Sequence, residues 1–205
     1  MILERIAVGP LAVNCYIIGC EKTRQLAVID PGDEVERIES AIKKNDLSLK
    51  YILLTHGHVD HVAQLARLKN KIPAEVLMHA EDLFLFENIS IQAVMFGLPD
   101  PGHPQPDRFV TDDEKLRLGE LELRVLHTPG HSPGSVTYQI KDNLFVGDLI
   151  FSGSIGRTDL PGGNYETLIT AVQKKIFTFP DETKIYPGHG PMTTVGQERR
   201  FNPFF

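Results

Sequence analysis

The sequence predicts an α/β protein in which two similar half-sheets pack face to face with helices outside. Three observations point there. Strand and helix patterns alternate through the first half of the 205 residues and recur in the second, with no linker between. Two units echo each other, Tyr51–His56 and Val125–His131, each an apolar strand run that ends in a histidine loop. Finally, each further group of metal-binding residue types also follows a predicted strand, so facing sheets with like ends together would gather them at one rim.

The elements follow in order. Ile2–Val8, Ala12–Gly19 and Gln25–Ile29 read as strands separated by Gly-Pro and charged turns. Asp33 to Asn45 carries Val35, Ile38, Ala41 and Ile42 at the spacing of an amphipathic helix. Tyr51–Leu54 is a buried strand, Val59–Leu68 a helix, Val76–Met78 a short strand, and Ala80–Phe96 a broken helix. Gly97–Asp107 holds four prolines and no periodicity, which makes it a loop able to serve as a lid. Strand signals resume at Leu121–Leu126, Ser135–Ile140 and Leu144–Val146, followed by a helix over Tyr165–Phe177 and a last strand at Lys184–Tyr186. One domain spanning residues 1–205 is expected.

Bulk properties exclude several classes. Hydrophobic residues at 41% and charged residues at 23% are ordinary for a soluble globular protein. A net charge of −6 argues against nucleic acid as a partner, because phosphate binding needs clustered Lys and Arg. No apolar run approaches the roughly 20 residues of a membrane span, and Glu4 and Arg5 precede only a short strand-like run, unlike a signal peptide. Cys15 and Cys20 lack zinc-ligand spacing and read as reduced core thiols, so a cytoplasmic location is expected.

The chemistry concentrates in Thr55-His56-Gly57-His58-Val59-Asp60-His61. Gly57 allows a tight loop to turn His56 and His58 to one side, while Asp60 and His61 come from the first turn of the next helix. Such a pattern arises by chance in roughly one chain of this size per thousand. His131, after His127-Thr128-Pro129-Gly130, adds a ligand type, as do Asp148 after Gly147 and His189 after Gly188. Five histidines and two aspartates suffice for two metal ions bridged by a carboxylate and a water. Zinc fits this imidazole–carboxylate set, and iron or manganese also does. Thr55 and Asp30 are candidates for orienting the ligands, Asp30 having a turn carboxylate as its alternative. His127 reads as structural, His79 and His103 as rim and loop residues. Gly153–Gly163 lacks a phosphate-loop lysine and reads as a loop that shapes the site.

The set Thr55–His61, His131, Asp148 and His189 resembles the metallo-β-lactamase superfamily, and within it the glyoxalase II-like (hydroxyacylglutathione hydrolase-like) branch in its short bacterial form. Asn14-Cys15-Tyr16, Ile29-Asp30-Pro31-Gly32, His127–Gly134, Gly156-Arg157-Thr158-Asp159, Pro187–Pro191 and Thr193–Arg199 also fit. The resemblance implies a four-layer αββα sandwich of two mixed sheets with a two-metal centre at the rim. It implies that His56, His58 and His131 hold one metal, that Asp60, His61 and His189 hold the other, and that Asp148 bridges. Departures narrow the reading. Asp148 stands where a β-lactamase is expected to have cysteine, Gly57 where flavin-linked diiron members have Glu, and the acidic chain lacks the large extra domain of nuclease members. Only a short tail follows His189, where glyoxalase II has a helical domain that binds glutathione. Phe96, the Gly97–Asp107 loop, Arg199 and Arg200 are the candidates for substrate contact.

Two cations held this way lower the pKa of a bridging water, and the hydroxide, kept by the ligands Asp60 and Asp148, attacks a carbonyl. A thioester partner such as S-lactoylglutathione suits the site, because a thiolate leaves without a general acid. The rival is a persulfide dioxygenase-like enzyme with one iron on His56, His131 and Asp148. A metal-stabilised protein without chemistry is the third reading, disfavoured because seven ligands exceed the four that close a structural zinc.

Overall fold

The computed structural model describes residues 1–44 and 47–205. Its first sheet has six strands in chain order: β1 (Ile2–Val8), β2 (Val13–Gly19), β3 (Gln25–Ile29), β4 (Ser48–Leu53), β5 (Glu75–His79) and β6 (Arg108–Val110). The first three are antiparallel and the rest parallel. In the second sheet β7 (Lys115–Leu118), β8 (Leu121–His127), β9 (Val136–Ile140) and β10 (Asn143–Gly147) are antiparallel neighbours. A small hairpin of β11 (Ile150–Phe151) and β12 (Ser154–Ile155) follows. Then β13 (Lys184–Pro187) joins β10 in parallel, and β14 (Thr193–Thr194) closes the edge. Both sheets are mixed, as expected.

Burial on both faces explains why β2, β3 and β4 read as continuous apolar runs. Tyr16, Ile18, Ala27, Ile29 and Leu53 point between the sheets, where they meet Val125, Tyr138 and Phe145 of the second sheet. Ile17, Val28 and Ile52 point the other way, onto α1 (Val35–Lys44), α2 (Val59–Val62), α3 (Leu65–Lys71) and the pair α4 (Leu83–Glu87) and α5 (Ile89–Phe96). Across the molecule Leu144, Val146 and Ile185 pack under α6 (Tyr165–Ala171), a π-helical turn at Val172–Ile176, and Val195 of α7 (Val195–Phe201). The order is helix, sheet, sheet, helix. Each fully buried Leu, Ile or Val contributes about 1.5–3 kcal/mol, so the layer between the sheets fixes their rims against each other.

At one end the sheets are also hydrogen-bonded. Val136 N–H donates to Thr55 O at 2.8 Å, and Tyr138 Oη to Leu54 O at 2.9 Å. Asn14 N–H donates to Gly188 O at 2.7 Å, and Tyr16 Oη to Pro187 O at 2.7 Å.

Several boundaries differ from the sequence reading. The helix expected over Val59–Leu68 breaks at Gln64, whose amide donates to Pro31 O and whose backbone leaves helical geometry (φ −103°, ψ 8°). Ala12 belongs to a turn, with φ 53° and its amide on Gly9 O. Asn45, the expected end of the first helix, lies outside the described residues. The short strands β6, β7 and β14 and helix α7 carried no periodic signal long enough to read. Cys15 and Cys20 are buried and free. Among the described residues no helix is long and apolar enough to cross a membrane.

Candidate metal centre

The strand ends at the hydrogen-bonded rim deliver the functional side chains. Asp30 follows β3, Thr55–His61 follow β4, His131 lies beyond β8, Asp148 follows β10 and His189 follows β13. His56, His58 and His131 place one ring nitrogen each within 4.8 Å of one another. Asp60, His61 and His189 form a second such trio, and His56, His61 and Asp148 a third that joins them. Asp148 reaches both sides: Oδ1 is 3.4 Å from His61 Nε2, and Oδ2 is 3.8 Å from His131 Nε2 and 3.5 Å from His189 Nε2. All seven residues expected as ligands therefore meet at one place.

The donor set fits cations. His56 Nε2, His61 Nε2 and Asp148 Oδ1 are buried polar atoms without a hydrogen-bond partner, a costly arrangement for so many groups in one spot. Donor pairs such as His189 Nε2–Asp60 Oδ2 at 3.3 Å and His61 Nε2–Asp148 Oδ1 at 3.4 Å match two ligands of one tetrahedral ion. Ligands about 2.1 Å from such an ion stand roughly 3.4 Å apart.

What holds the rings is equally specific. His61 Nδ1 faces Asp30 Oδ2 at 2.9 Å, His131 Nδ1 faces Arg157 O at 2.7 Å, and His189 Nδ1 faces Leu11 O at 2.9 Å. Thr55 Oγ1 stands 3.0 Å from His56 Nδ1 and donates to Asp30 Oδ2 at 2.6 Å, while Thr55 N–H donates to Asp30 Oδ1 at 2.8 Å. Four histidines thus carry an outer partner on Nδ1 and turn Nε2 inward, the arrangement that fixes tautomer and aim in metal sites. Asp30 holds this post with φ 51°, a left-handed backbone that aspartate tolerates better than most residues. His58 differs, presenting Nδ1, which lies 2.8 Å from His131 Nε2.

Without cations the cluster is electrostatically lopsided. Burial, followed by the neighbouring imidazoles, holds His56 well below the ordinary histidine range, and burial with His131 brings His58 down to about 3. Both are neutral near pH 7 and available as ligands. Burial also opposes charge on His61, but Asp148, Asp60 and Asp30 outweigh it and push that ring well above its usual range. Asp148 is likewise opposed by burial, and His61 and the other rings hold it below the ordinary carboxylate range.

Asp82 is a residue that the sequence did not reveal. Fully buried, it accepts from Gly57 N–H at 2.8 Å, Gly134 N–H at 2.6 Å and Ser132 Oγ at 2.7 Å, clamping the His56–His58 loop to the His131 loop. Its partners lie 25 to 52 residues away, and no short-range pattern marks it. Gly57 owes its presence to the same neighbourhood. A Cβ there would stand 3.0 Å from Leu85 Cβ and 3.2 Å from Asp82 O, so close approach, and not a left-handed backbone, requires glycine.

A cavity of about 290 Å³ opens on the cluster, lined by Leu11, Phe96, Arg157 and Leu160 beside the ligand-type residues. Phe96 is where the sequence placed it. Arg199 and Arg200 are not: Arg199 donates to Asp181 Oδ1 at 2.5 Å and to the carbonyls of Phe177 and Phe179, and Arg200 pairs with Asp181. They fasten α7 to the loop after the π-helical turn. The cation at the cavity is Arg157, held by two 2.7 Å bonds to Asp159. The Gly97–Asp107 segment is a loop as expected, but it contributes no residue to this cavity. Within Gly153–Gly163, Arg157 and Leu160 do shape the site.

His79 and His127 stack at 4.1 Å with planes 12° apart and form, with Glu81, a further group of possible ligands. Parallel stacked rings cannot both aim lone pairs at one ion. His127 Nε2 donates to Pro133 O at 2.8 Å, a structural role.

A family model for the metallo-beta-lactamase superfamily matches residues 8–189. The hydroxyacylglutathione hydrolase GloC of Haemophilus influenzae is 43% identical over 208 residues, covering 100% of this chain and 98% of its own. Two crystal structures superpose closely. That of the BLEG-1 B3 metallo-beta-lactamase has TM-score 0.92 at 34% identity, covering 99% of each chain. That of TTHA1623 in a di-iron-bound form has TM-score 0.91 at 39% identity, covering 98% of this chain and 100% of the other.

Proposed function

From a chain that belongs to the metallo-β-lactamase superfamily and is a metallohydrolase, we propose a thioester hydrolase of glyoxalase II type, acting on S-lactoylglutathione or a related thioester. His56, His58 and His131 would hold one divalent cation and Asp60, His61 and His189 a second, with Asp148 shared between the two groups. When bound, the cations supply acidified water and Lewis acidity. Zinc suits the donors, although the di-iron form of a relative makes iron a real alternative. The observation that carries the reading is the set of inward Nε2 atoms, each backed on Nδ1 by Asp30, Thr55 or a backbone carbonyl. A binding protein gains nothing from ligands aimed at an open cavity.

The chain's own residues perform the remaining work. Asp60 and Asp148, as charged ligands, neutralise part of the cationic field and orient the attacking water. Asp30 keeps His61 and, through Thr55, His56 in register, so no ligand has to reorganise as charge develops at the substrate carbonyl. Water adds to the carbonyl carbon, the C–S bond breaks with its electron pair going to sulfur, and the products are a carboxylate and a thiolate, with both protons of the attacking water passing to bulk solvent. Arg157 is among the residues that line the cavity, and a substrate carboxylate would compete with Asp159 for its guanidinium. The two free thiols fit a cytoplasmic location.

Metal content and three assays on one preparation test this. Two cations per chain, hydrolysis of S-lactoylglutathione and no oxygen uptake with a persulfide are expected. One iron with oxygen uptake would replace the hydrolase by a dioxygenase. The similarity to BLEG-1 makes a cephalosporin the third substrate, and its faster hydrolysis would move the activity to antibiotics.

A further inference from the structure

Beside the metal cluster lies a second, apolar cavity of about 230 Å³, bordered by Phe84, Ile91, Met95, Phe96, Leu160 and His58. Helix α5 forms its long wall and is apolar on both faces. Ile89 and Ala93 are buried in the core, yet Ile91, Val94 and Met95 stand 60%, 81% and 72% exposed. A short helix whose outer face is this apolar marks a binding surface more often than ordinary solvent-facing structure. The groove is continuous with the catalytic cavity, since His58, Phe96 and Leu160 border both. Its position is fixed by Gln92, which accepts from Val59 N–H at 3.1 Å and donates to Leu85 O at 2.9 Å, tying α5 to the helix that carries Asp60 and His61.

We propose that this groove holds a hydrocarbon arm of the substrate, so that among the related thioesters those with an apolar chain of several carbons next to the scissile bond are preferred over S-lactoylglutathione, both of whose arms are polar. The proposal rests on the thioesterase reading for its chemistry but not for its geometry. The groove has room for a chain of several carbons. Phe96 stands at the junction of the two cavities, with the scissile carbonyl on one side and the chain on the other. The arm can belong to the acyl group or to the leaving thiol, and the two are distinguishable.

The test uses two series with the metal-loaded enzyme: acetyl to octanoyl thioesters of one small thiol, and acetyl thioesters of ethanethiol to octanethiol. In one series kcat/KM should rise about two- to fourfold per methylene until the groove is full, which identifies the arm. In the Ile91→Gln/Met95→Gln variant that slope should flatten while the shortest acetyl thioester is hydrolysed within about twofold of the parent rate. Flat dependence in both series, or an unchanged slope in the variant, overturns the groove assignment and leaves the thioesterase intact. If no thioester is hydrolysed, the thioesterase reading falls, and binding still decides the groove. The Met95 methyl resonance should shift with hexanoate or hexanethiol and not with acetate, in metal-loaded and metal-stripped protein alike. No shift with either long-chain probe refutes the inference, as does a dimer that the double variant dissociates without altering chain-length preference.

Discussion

Gly188 offers the sharpest test of how closely the rim is built. A Cβ at this position would stand 2.2 Å from Asp148 Oδ1 and 2.6 Å from His61 Cε1. Ordinary contact for a methyl begins near 3.4 Å, so in Gly188→Ala the Asp148 carboxylate or the 188 backbone must withdraw by about 1 Å. Neither has easy freedom. Gly188 N–H donates to Gly147 O at 2.8 Å, its carbonyl accepts from Asn14 N–H at 2.7 Å, and Asp148 is bounded by His61, His131 and His189. A 1 Å misplacement at a reacting site costs about 100-fold in rate, equivalent to about 2.7 kcal/mol in the barrier. The assay is kcat for thioester hydrolysis together with metal per chain and thermal unfolding. Gly188→Ala should lose about 100-fold in kcat and part of its metal, while the metal-free proteins unfold at similar temperatures. Gly190→Ala is the matched control: its φ is +75° and nothing lies within 4 Å of its Cβ position. It should cost about 1–2 kcal/mol of stability through left-handed strain and keep activity within about threefold. Full metal and full kcat in Gly188→Ala would refute the claim that Asp148 must sit where it does.

Three further outcomes follow from the same geometry. Asp148→Asn keeps size but removes the charge shared between the two trios, and activity should fall at least about 100-fold with loss of metal on elemental analysis. Asp82→Ala strands Gly57 N–H, Gly134 N–H and Ser132 Oγ in a buried site; denaturant unfolding should show a loss of about 3 kcal/mol or more, and kcat should drop although Asp82 touches no substrate. Arg199→Ala should leave KM unchanged and lower stability by about 1 kcal/mol or less, because its partly exposed guanidinium serves Asp181 and two carbonyls; a selective rise in KM would return it to the substrate site.

Much of the centre is legible in the sequence because its ligands are local in the chain or sit at strand ends. His56, His58, Asp60 and His61 lie within one loop and one helical turn, and periodicity locates β4 immediately before them. Asp148 and His189 follow apolar runs that could only be strands. Asp30 was visible as a carboxylate after a strand, and the structure makes it the support for two ligands at once. What the sequence withheld is what depends on long-range packing. Asp82 sits in a helical stretch whose spacing says nothing of the two loops it clamps. Arg199 and Arg200 attract attention as cations near the end of the chain, yet the fold turns α7 toward Asp181, while Arg157, already bound to Asp159, takes the place at the cavity. Short strands such as β6, β7 and β14 have two to four residues, below the length at which alternation can be distinguished from chance.

The division has a physical basis. Metal chemistry needs particular atoms at one point, so evolution of such a site leaves rare residue types at narrow spacing, and rare types are readable. The groove proposed for substrate selection is lined by Phe84, Ile91, Met95 and Phe96, which are common residues doing what apolar residues do everywhere. Nothing in α5 as a sequence separates a groove wall from a core face, since Ile89 and Ala93 are as apolar as Ile91 and Met95. Only their exposure, 1% against 60% and 72% for the pairs' extremes Ile89, Ile91 and Met95, separates the two roles. The centre's chemistry is therefore encoded in residue identity and its specificity in residue placement. A substitution on the outer face of α5 should accordingly alter which thioester is cleaved while leaving untouched the ligands that cleave it.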